Sequence, residues 1–156
     1  MSITAFFGLK HPNAVQRPPF GRCTDTLMEN PIILAEDTLM SETDPQGRII
    51  FANDNFCSVS KYGLDELMVQ PHNIVRHPDM PKKLFQHLWD VIRKGEVFRG
   101  VIKNKAKDGS HYWVNTTIIP IYEGPKIVKH LSGRYHIKDE QVAQQLYAQQ
   151  VRSLGI

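Results

Sequence analysis

Alternating polar and apolar positions predict five β-strands, two in the first half of the chain and three in the second. The first two, at 38–43 and 48–52, are joined by an Asp-Pro-Gln-Gly turn, in which proline presets one backbone dihedral and glycine accepts a left-handed one. Three longer strands are predicted at 98–107, 111–122 and 127–137, with glycine-containing turns between them. This pattern is typical of an antiparallel sheet.

Apolar residues at helical spacing predict the helices. Asn53 offers an N-cap for a short helix, and a second short helix is predicted at 64–68. The clearest helix covers 81–94, and a C-terminal helix covers 139–154. The apolar stripe of the helix at 81–94 consists of Leu84, Phe85, Leu88, Trp89 and Ile92.

The order of these elements predicts an α+β fold, with an antiparallel sheet and a helical layer on one face. We divide the chain into an N-terminal arm at 1–36, a folded domain at 37–138 and a C-terminal helix at 139–156. The arm contains the Arg-Pro-Pro segment and little periodicity, so it is predicted to be irregular and to pack on the domain or on a partner.

Composition narrows the class of protein. The chain has 156 residues, 41% of them hydrophobic, and its formal net charge of +3 does not require a nucleic-acid partner. The two cysteines, Cys23 and Cys57, form no metal-ligand spacing or disulfide framework. No apolar run is long enough for a transmembrane helix and no secretory leader is recognisable, so we expect a cytoplasmic protein without direct membrane insertion.

The connector at 71–81 concentrates candidate chemistry. It contains two imidazoles, a guanidinium, a carboxamide and a carboxylate between proline residues that disfavour helix. Such a segment can be a binding site held on a rigid scaffold. It can equally be a turn in which Asp79 caps the following helix and Pro81 begins it.

Asn104 is the most informative residue of the predicted sheet. Alternation places its carboxamide on the same face as Phe98 and Ile102, while the opposite face carries Arg99 and several lysines and is therefore predicted to face solvent. A buried amide without a partner costs a few kcal/mol, so Asn104 needs a protein group, a water or a ligand. A bond to a neighbouring helix or loop is the common alternative.

Motifs for metal binding and catalysis are missing from the sequence. The seven histidines form no paired helical spacing and no His-Glu-x-x-His motif, although a single histidine would suffice as an axial ligand to haem. The sequence has no nucleophile elbow and no phosphate-binding loop. We therefore predict that the protein is not an enzyme.

Several segments carry a resemblance to a known family. The sequence resembles a PAS domain, and in particular the FAD-binding PAS domains of the bacterial aerotaxis receptor (Aer) type, over about two thirds of its length. The matching segments are Asp37–Ser41, Ala52–Asp54, Gln70–Asn73, Val75–Pro81, Lys94–Glu96, Val101–Asn104 and His111–Val114.

The resemblance implies a five-stranded sheet with short helices on one face, holding FAD non-covalently. Its candidate cofactor-binding residues here are Asn53, Arg76, His77, Asp79, Trp89, Phe98 and Asn104. Phe98 marks a departure, because the family carries tryptophan in a Gly-Glu-Pro-Trp motif where this chain has Gly95-Glu96-Val97-Phe98. The phenyl ring keeps an aromatic wall but loses the indole N–H donor.

The function implied by the resemblance is a redox- or oxygen-responsive sensor that relays the state of its flavin to a methyl-accepting chemotaxis-type transducer. Two alternatives share the fold: a haem-binding gas sensor and a cofactor-free module that works by homodimerisation or docking. A nucleic-acid partner is not expected, because the basic stripe on the sheet lacks interleaved aromatic residues.

Overall fold

A computed structural model describes residues 38–156, and the predicted arm at 1–36 lies outside the described residues. One antiparallel sheet has the strand order β2-β1-β5-β4-β3, so the last strand lies at the centre between the first strand and the fourth. The strands are β1 (Thr38–Thr43), β2 (Ile49–Ala52), β3 (Phe98–Lys105), β4 (His111–Glu123) and β5 (Lys126–Ile137). The predicted α+β class and the five-stranded sheet are confirmed.

The helices before β3 cover the inner face of the sheet, and one more helix follows β5. The helices are α1 (Asp54–Ser60), α2 (Leu64–Leu67), a 3-10 helix (His72–Val75), α3 (Lys82–Arg93) and α4 (Glu140–Leu154). In α3, Leu84, Leu88 and Ile92 are buried at helical spacing, as the stripe predicts. Their burial holds α3 against the inner side of the sheet. Residues 38–156 contain no helix with the length and apolar character needed to span a bilayer.

The outer face of β3 is not simply exposed to solvent, and in this respect the sequence prediction is wrong. Arg99 and Lys105 are exposed, but Val101, which lies between them on the same face, is buried. The C-terminal helix α4 packs there, and the side chain of Gln150 bonds both backbone groups of Val101 (Nε2 to O 3.2 Å, Oε1 to N 2.6 Å). Alternation identifies the two faces of a strand but does not show which distant helix covers each.

The α4 helix is fixed to the sheet at a second point. Trp113 of β4 stacks in a tilted arrangement on Tyr147, with 5.4 Å between ring centroids, and its indole N–H donates to Glu140 at 2.9 Å. Asp139 caps the helix by accepting from the backbone of Gln141 and Val142. The inner face of the sheet is therefore covered by α3 and the shorter helices, and α4 covers part of the outer face, at β3, β4 and β5.

Candidate ligand-binding site

A cavity of about 410 Å³ lies between α3, the connector that precedes it and the inner face of the sheet. Its volume falls within the range of roughly 300–1,000 Å³ that is usual for small-molecule sites. The apolar part of its wall consists of Val75, Phe85, Leu88, Trp89, Ile92, Ile102 and Ile118. Polar and charged side chains complete the lining, among them His72, Arg76, Asn104 and Arg134. A cavity with both apolar walls and convergent polar groups is suited to an organic ligand.

Asn104 supplies one of those polar groups. It lies on β3, is only 5% exposed and lines the cavity, as alternation predicts. Its cross-strand neighbour is Tyr112, and burial raises the pKa of that phenol to about 12, so it is protonated at neutral pH. A backbone bridge between Arg76 and Asn104 brings the connector against the inner side of β3 at this position.

Two hydroxyl groups on the central strands also face the cavity. Thr116 on β4 and Ser132 on β5 are both buried, and their hydroxyl oxygens have no hydrogen-bond partner within residues 38–156. Buried polar groups in folded proteins are nearly always paired. Two unpaired hydroxyls on one cavity wall therefore indicate a ligand or ordered water at this place.

Arg134 and His72 form a polar pair across the cavity wall. Arg134 of β5 donates to His72 Nε2 at 2.8 Å and to the hydroxyl of Ser41 at 3.1 Å. Burial, reinforced by the neighbouring guanidinium, lowers the pKa of His72 to about 3, so its ring is neutral and can accept. The pair joins the 3-10 helix to the centre of the sheet.

Three of the predicted site residues line this cavity: Arg76, Trp89 and Asn104. The Arg76 guanidinium donates to the backbone oxygen of Met80 at 3.0 Å and lies 4.1 Å above the ring of Phe85. These contacts hold the guanidinium at the cavity wall, between the connector and α3.

His77 and Asp79 lie close to each other but are not among the lining residues of the cavity. The Asp79 carboxylate, which is 68% exposed, is 3.5 Å from His77 Nδ1 and 3.4 Å from Lys103 Nζ. Burial lowers the pKa of His77, and the charge of Lys103 adds to that effect. The alternative in which Asp79 caps α3 is wrong, because the N-cap position is Pro81 and it makes no side-chain bond.

Asn53 and Phe98 also lie apart from the cavity lining. Asn53 caps α1 by accepting from Phe56 N, accepts from Met40 N and donates to Thr38 O, at 2.8–3.0 Å. These bonds tie α1 to β1. Phe98 is 3% exposed and packs edge-on against the ring of His87, with 6.2 Å between centroids.

Trp89, which lines the cavity, contacts two neighbouring side chains. Its ring lies edge-on to His130 at 5.9 Å, and the Arg93 guanidinium lies 5.1 Å above it. Gly47, in the turn between β1 and β2, has φ +84°, and a Cβ there would lie 2.8 Å from the indole carbons. The turn therefore needs glycine for its backbone conformation and for the space that the indole occupies.

Sequence reasoning missed the polar residues of the central strands. Ser132 and Arg134 occupy alternate positions of β5 with His130, and all three side chains are buried. The signal was available as a run of polar residues at every second position. Residues 38–156 hold no group of three potential metal ligands.

The comparisons with known proteins identify the family. The model of the PAS fold matches residues 49–133. The chain belongs to the PAS fold family. The PAS match covers most of the sheet and all of the connector that forms the cavity.

One curated relative and two solved structures illustrate the similarity. The aerotaxis receptor of Escherichia coli (strain K12) is 50% identical over 111 residues, which cover 70% of this chain and 22% of the receptor. The PAS chain therefore spans about a fifth of the length of that relative. The structure described as "Flavin Analogue Sheds Light on Light-Oxygen-Voltage Domain Mechanism" has a TM-score of 0.69 at 20% identity and covers 76% of this chain and 90% of its own. A PAS domain from Colwellia psychrerythraea has a TM-score of 0.60 at 24% identity, and the match covers 64% of this chain and 86% of that domain's chain.

Proposed function

We propose that this PAS domain is a redox- or oxygen-responsive sensor that holds FAD non-covalently in the cavity beneath α3. The observation that carries the proposal is the buried Asn104 carboxamide, which faces a largely apolar cavity of about 410 Å³. The name of the Escherichia coli relative, an aerotaxis receptor, and the flavin in the description of a structural relative support this choice over other small ligands.

The residues around the cavity fit a flavin. Its flat ring system would lie between the apolar side chains of α3 and the inner face of the sheet, and the two unpaired hydroxyls of Thr116 and Ser132 would bond its polar edge. Arg76, a permanent cation with several N–H donors, suits a carbonyl or phosphate oxygen. Trp89 supplies an aromatic wall.

Asn104 is our candidate for the redox-sensing residue. A bound flavin supplies reversible reduction, in which a ring nitrogen changes from a hydrogen-bond acceptor to a donor. Asn104 carries both an NH₂ donor and a carbonyl acceptor, so rotation of its amide would let it bond the ring nitrogen in either state. A gain or loss of one or two bonds in a buried site is worth about 1–3 kcal/mol, enough to shift a two-state equilibrium severalfold or more.

The other predicted residues would act through their neighbours. His77 and Asp79 would hold the connector close to Lys103, and Asn53 would fix β1 against α1. Phe98 would keep the end of β3 packed in the core.

The redox state of the flavin would be transmitted to the partner through the outer side of the sheet. Gln150 binds Val101, which is three residues from Asn104 on the same strand, so a shift of β3 reaches α4 directly. We propose a cytoplasmic chemotaxis-type transducer of the methyl-accepting class as the partner, and a homodimer as the assembly. In this proposal the protein acts as a sensor and not as an enzyme.

A visible absorption spectrum of the purified 156-residue chain tests the cofactor. We expect bands near ~370 and ~450 nm that bleach with dithionite and return in air, with FAD recovered after denaturation. A Soret band would establish the haem alternative. A spectrum without visible bands, and no binding of added FAD, would leave the cofactor-free module.

A further inference from the structure

Arg134 places a positive charge in the cavity wall without an acidic partner among residues 38–156. The residue is 4% exposed, and its two hydrogen bonds go to the neutral ring of His72 and the hydroxyl of Ser41. The guanidinium also lies 5.2 Å from the ring centre of Phe56. None of these groups carries a compensating negative charge.

Three carboxylates on elements that pack against the sheet are engaged with other partners. Glu42 of β1 binds Lys129, Asp79 of the connector binds Lys103, and Glu140 of α4 accepts from Trp113. A buried charge without a counter-charge is strongly unfavourable. Burial lowers the pKa of Arg134 to about 10, which still leaves it cationic at neutral pH.

Two further donors occupy neighbouring positions to Arg134 on the inner face of the sheet. Thr116 is the cross-strand partner of Arg134, and Ser132 is two positions before it on the same face of β5. Both hydroxyls are buried and unpaired within the part of the chain that the structure describes. All three residues line the same cavity, and a guanidinium with two O–H donors in one cavity wall is complementary to a planar anion, which accepts several bonds.

We propose that Arg134, together with the hydroxyls of Thr116 and Ser132, binds a planar, delocalised anionic group of the ligand that occupies the cavity. The inference rests on the proposed function in one respect, which is that the cavity holds a ligand. It also deepens that function, because a flavin ring gains negative charge along its planar edge when it is reduced. Arg134 would then favour the reduced form.

Benzoate and benzamide provide a direct test, since they have nearly the same shape and differ in charge. Their dissociation constants are measured by calorimetry with the full 156-residue chain after any co-purified ligand has been removed. We expect benzoate to bind roughly tenfold more tightly than benzamide. We expect Arg134→Met to abolish this preference.

The matched control is Arg99→Met, which removes the same charge from the exposed outer side of β3 and should keep the preference for benzoate. Equal binding of the two probes to the wild-type chain would overturn the inference, even if Arg134→Met failed to fold. Persistence of the preference in folded Arg134→Met would also overturn it.

The outcome of this experiment can be distinguished from the outcome of the test of the proposed function. If the chain is colourless and does not bind FAD but prefers benzoate, the anion site is supported and the proposal of a flavin is wrong. If the chain is yellow and contains FAD but lacks that preference, the flavin is supported and the proposal of an anion site is wrong.

Discussion

Arg134 donates a hydrogen bond to His72 Nε2 at 2.8 Å, and this contact joins the central strand of the sheet to the 3-10 helix before α3. The contact requires a neutral imidazole, because a protonated ring has no free acceptor and would repel the guanidinium. The pair therefore links the stability of the cavity wall to pH.

We predict that the domain loses stability as the pH falls from 7 to 5. The pKa of His72 is about 3 in the folded chain and about 6.5 when unfolded, so the unfolded state takes up a proton that the folded state excludes. The loss from His72 alone is about 2 kcal/mol between these pH values. Urea unfolding at pH 7, 6 and 5 measures it.

Replacing the ring isolates this contribution. His72→Gln should unfold with a shallower dependence on pH, while His111→Gln, at an exposed position paired with Glu140, should keep most of the wild-type slope. His77, His130 and His136 also have pKa values lowered by burial and will leave a residual slope in both variants. Equal slopes in the wild-type chain and His72→Gln would contradict the prediction.

Asn104→Ala should keep the fold and lose the redox response. The substitution removes the amide but leaves the strand pairing of β3 with β4 intact, because that pairing uses the backbone. Hydrogen exchange of α4 in oxidised and dithionite-reduced protein measures the response. Asn115→Ala, on the outer face of β4, is the matched control and should respond like the wild type. A normal response in Asn104→Ala would show that this amide is not the switch.

Arg76→Ala should yield cofactor-poor protein. The guanidinium is held at the cavity wall by Met80 O and the ring of Phe85, so its removal takes a preorganised donor from the ligand. The ratio of flavin to protein absorbance after purification measures the loss. Arg48→Ala removes an exposed guanidinium beside the β1–β2 turn and should retain full flavin. Stoichiometric FAD in Arg76→Ala would remove this residue from the site.

Gln150→Ala should loosen α4 from the sheet. Its side chain bonds both backbone groups of Val101 on the edge strand, and the two bonds together contribute about 1–3 kcal/mol. The free energy of unfolding should fall by that amount, and the Val101 amide should exchange faster. The neighbouring Gln149→Ala, at an exposed position, should change neither. Unchanged exchange at Val101 in Gln150→Ala would contradict this role of the contact.

The sequence predicted the sheet and the inward direction of Asn104 because both depend on local periodicity. Alternation on β3 separates Asn104 and Ile102 from Lys105 without knowledge of the rest of the fold. The short turns between strands likewise carry their own geometry. These are properties of neighbouring residues, so one sequence is enough to predict them.

The polar wall was missed because its direction depends on distant pairing. On β5, an apolar core would place Leu131 and Tyr135 inside, yet the register of β4 against β5 turns Ser132 and Arg134 inward. Arg134 faces inward because its hydrogen-bond partners, His72 and Ser41, lie on elements that are distant in the sequence. For the same reason, the sequence could not show that α4 would cover Val101.

The close approach of Gly47 to Trp89 links a surface turn to the dimensions of the chamber. Any side chain at position 47 would force the indole or the turn to move, because the carbons of that ring already lie 2.8 Å from where a Cβ would stand. Mutational scans of this hairpin will therefore report on the shape of the cavity as well as on folding. A substitution at this one position would therefore alter two parts of the cavity wall at once, because both Gly47 and Trp89 line it.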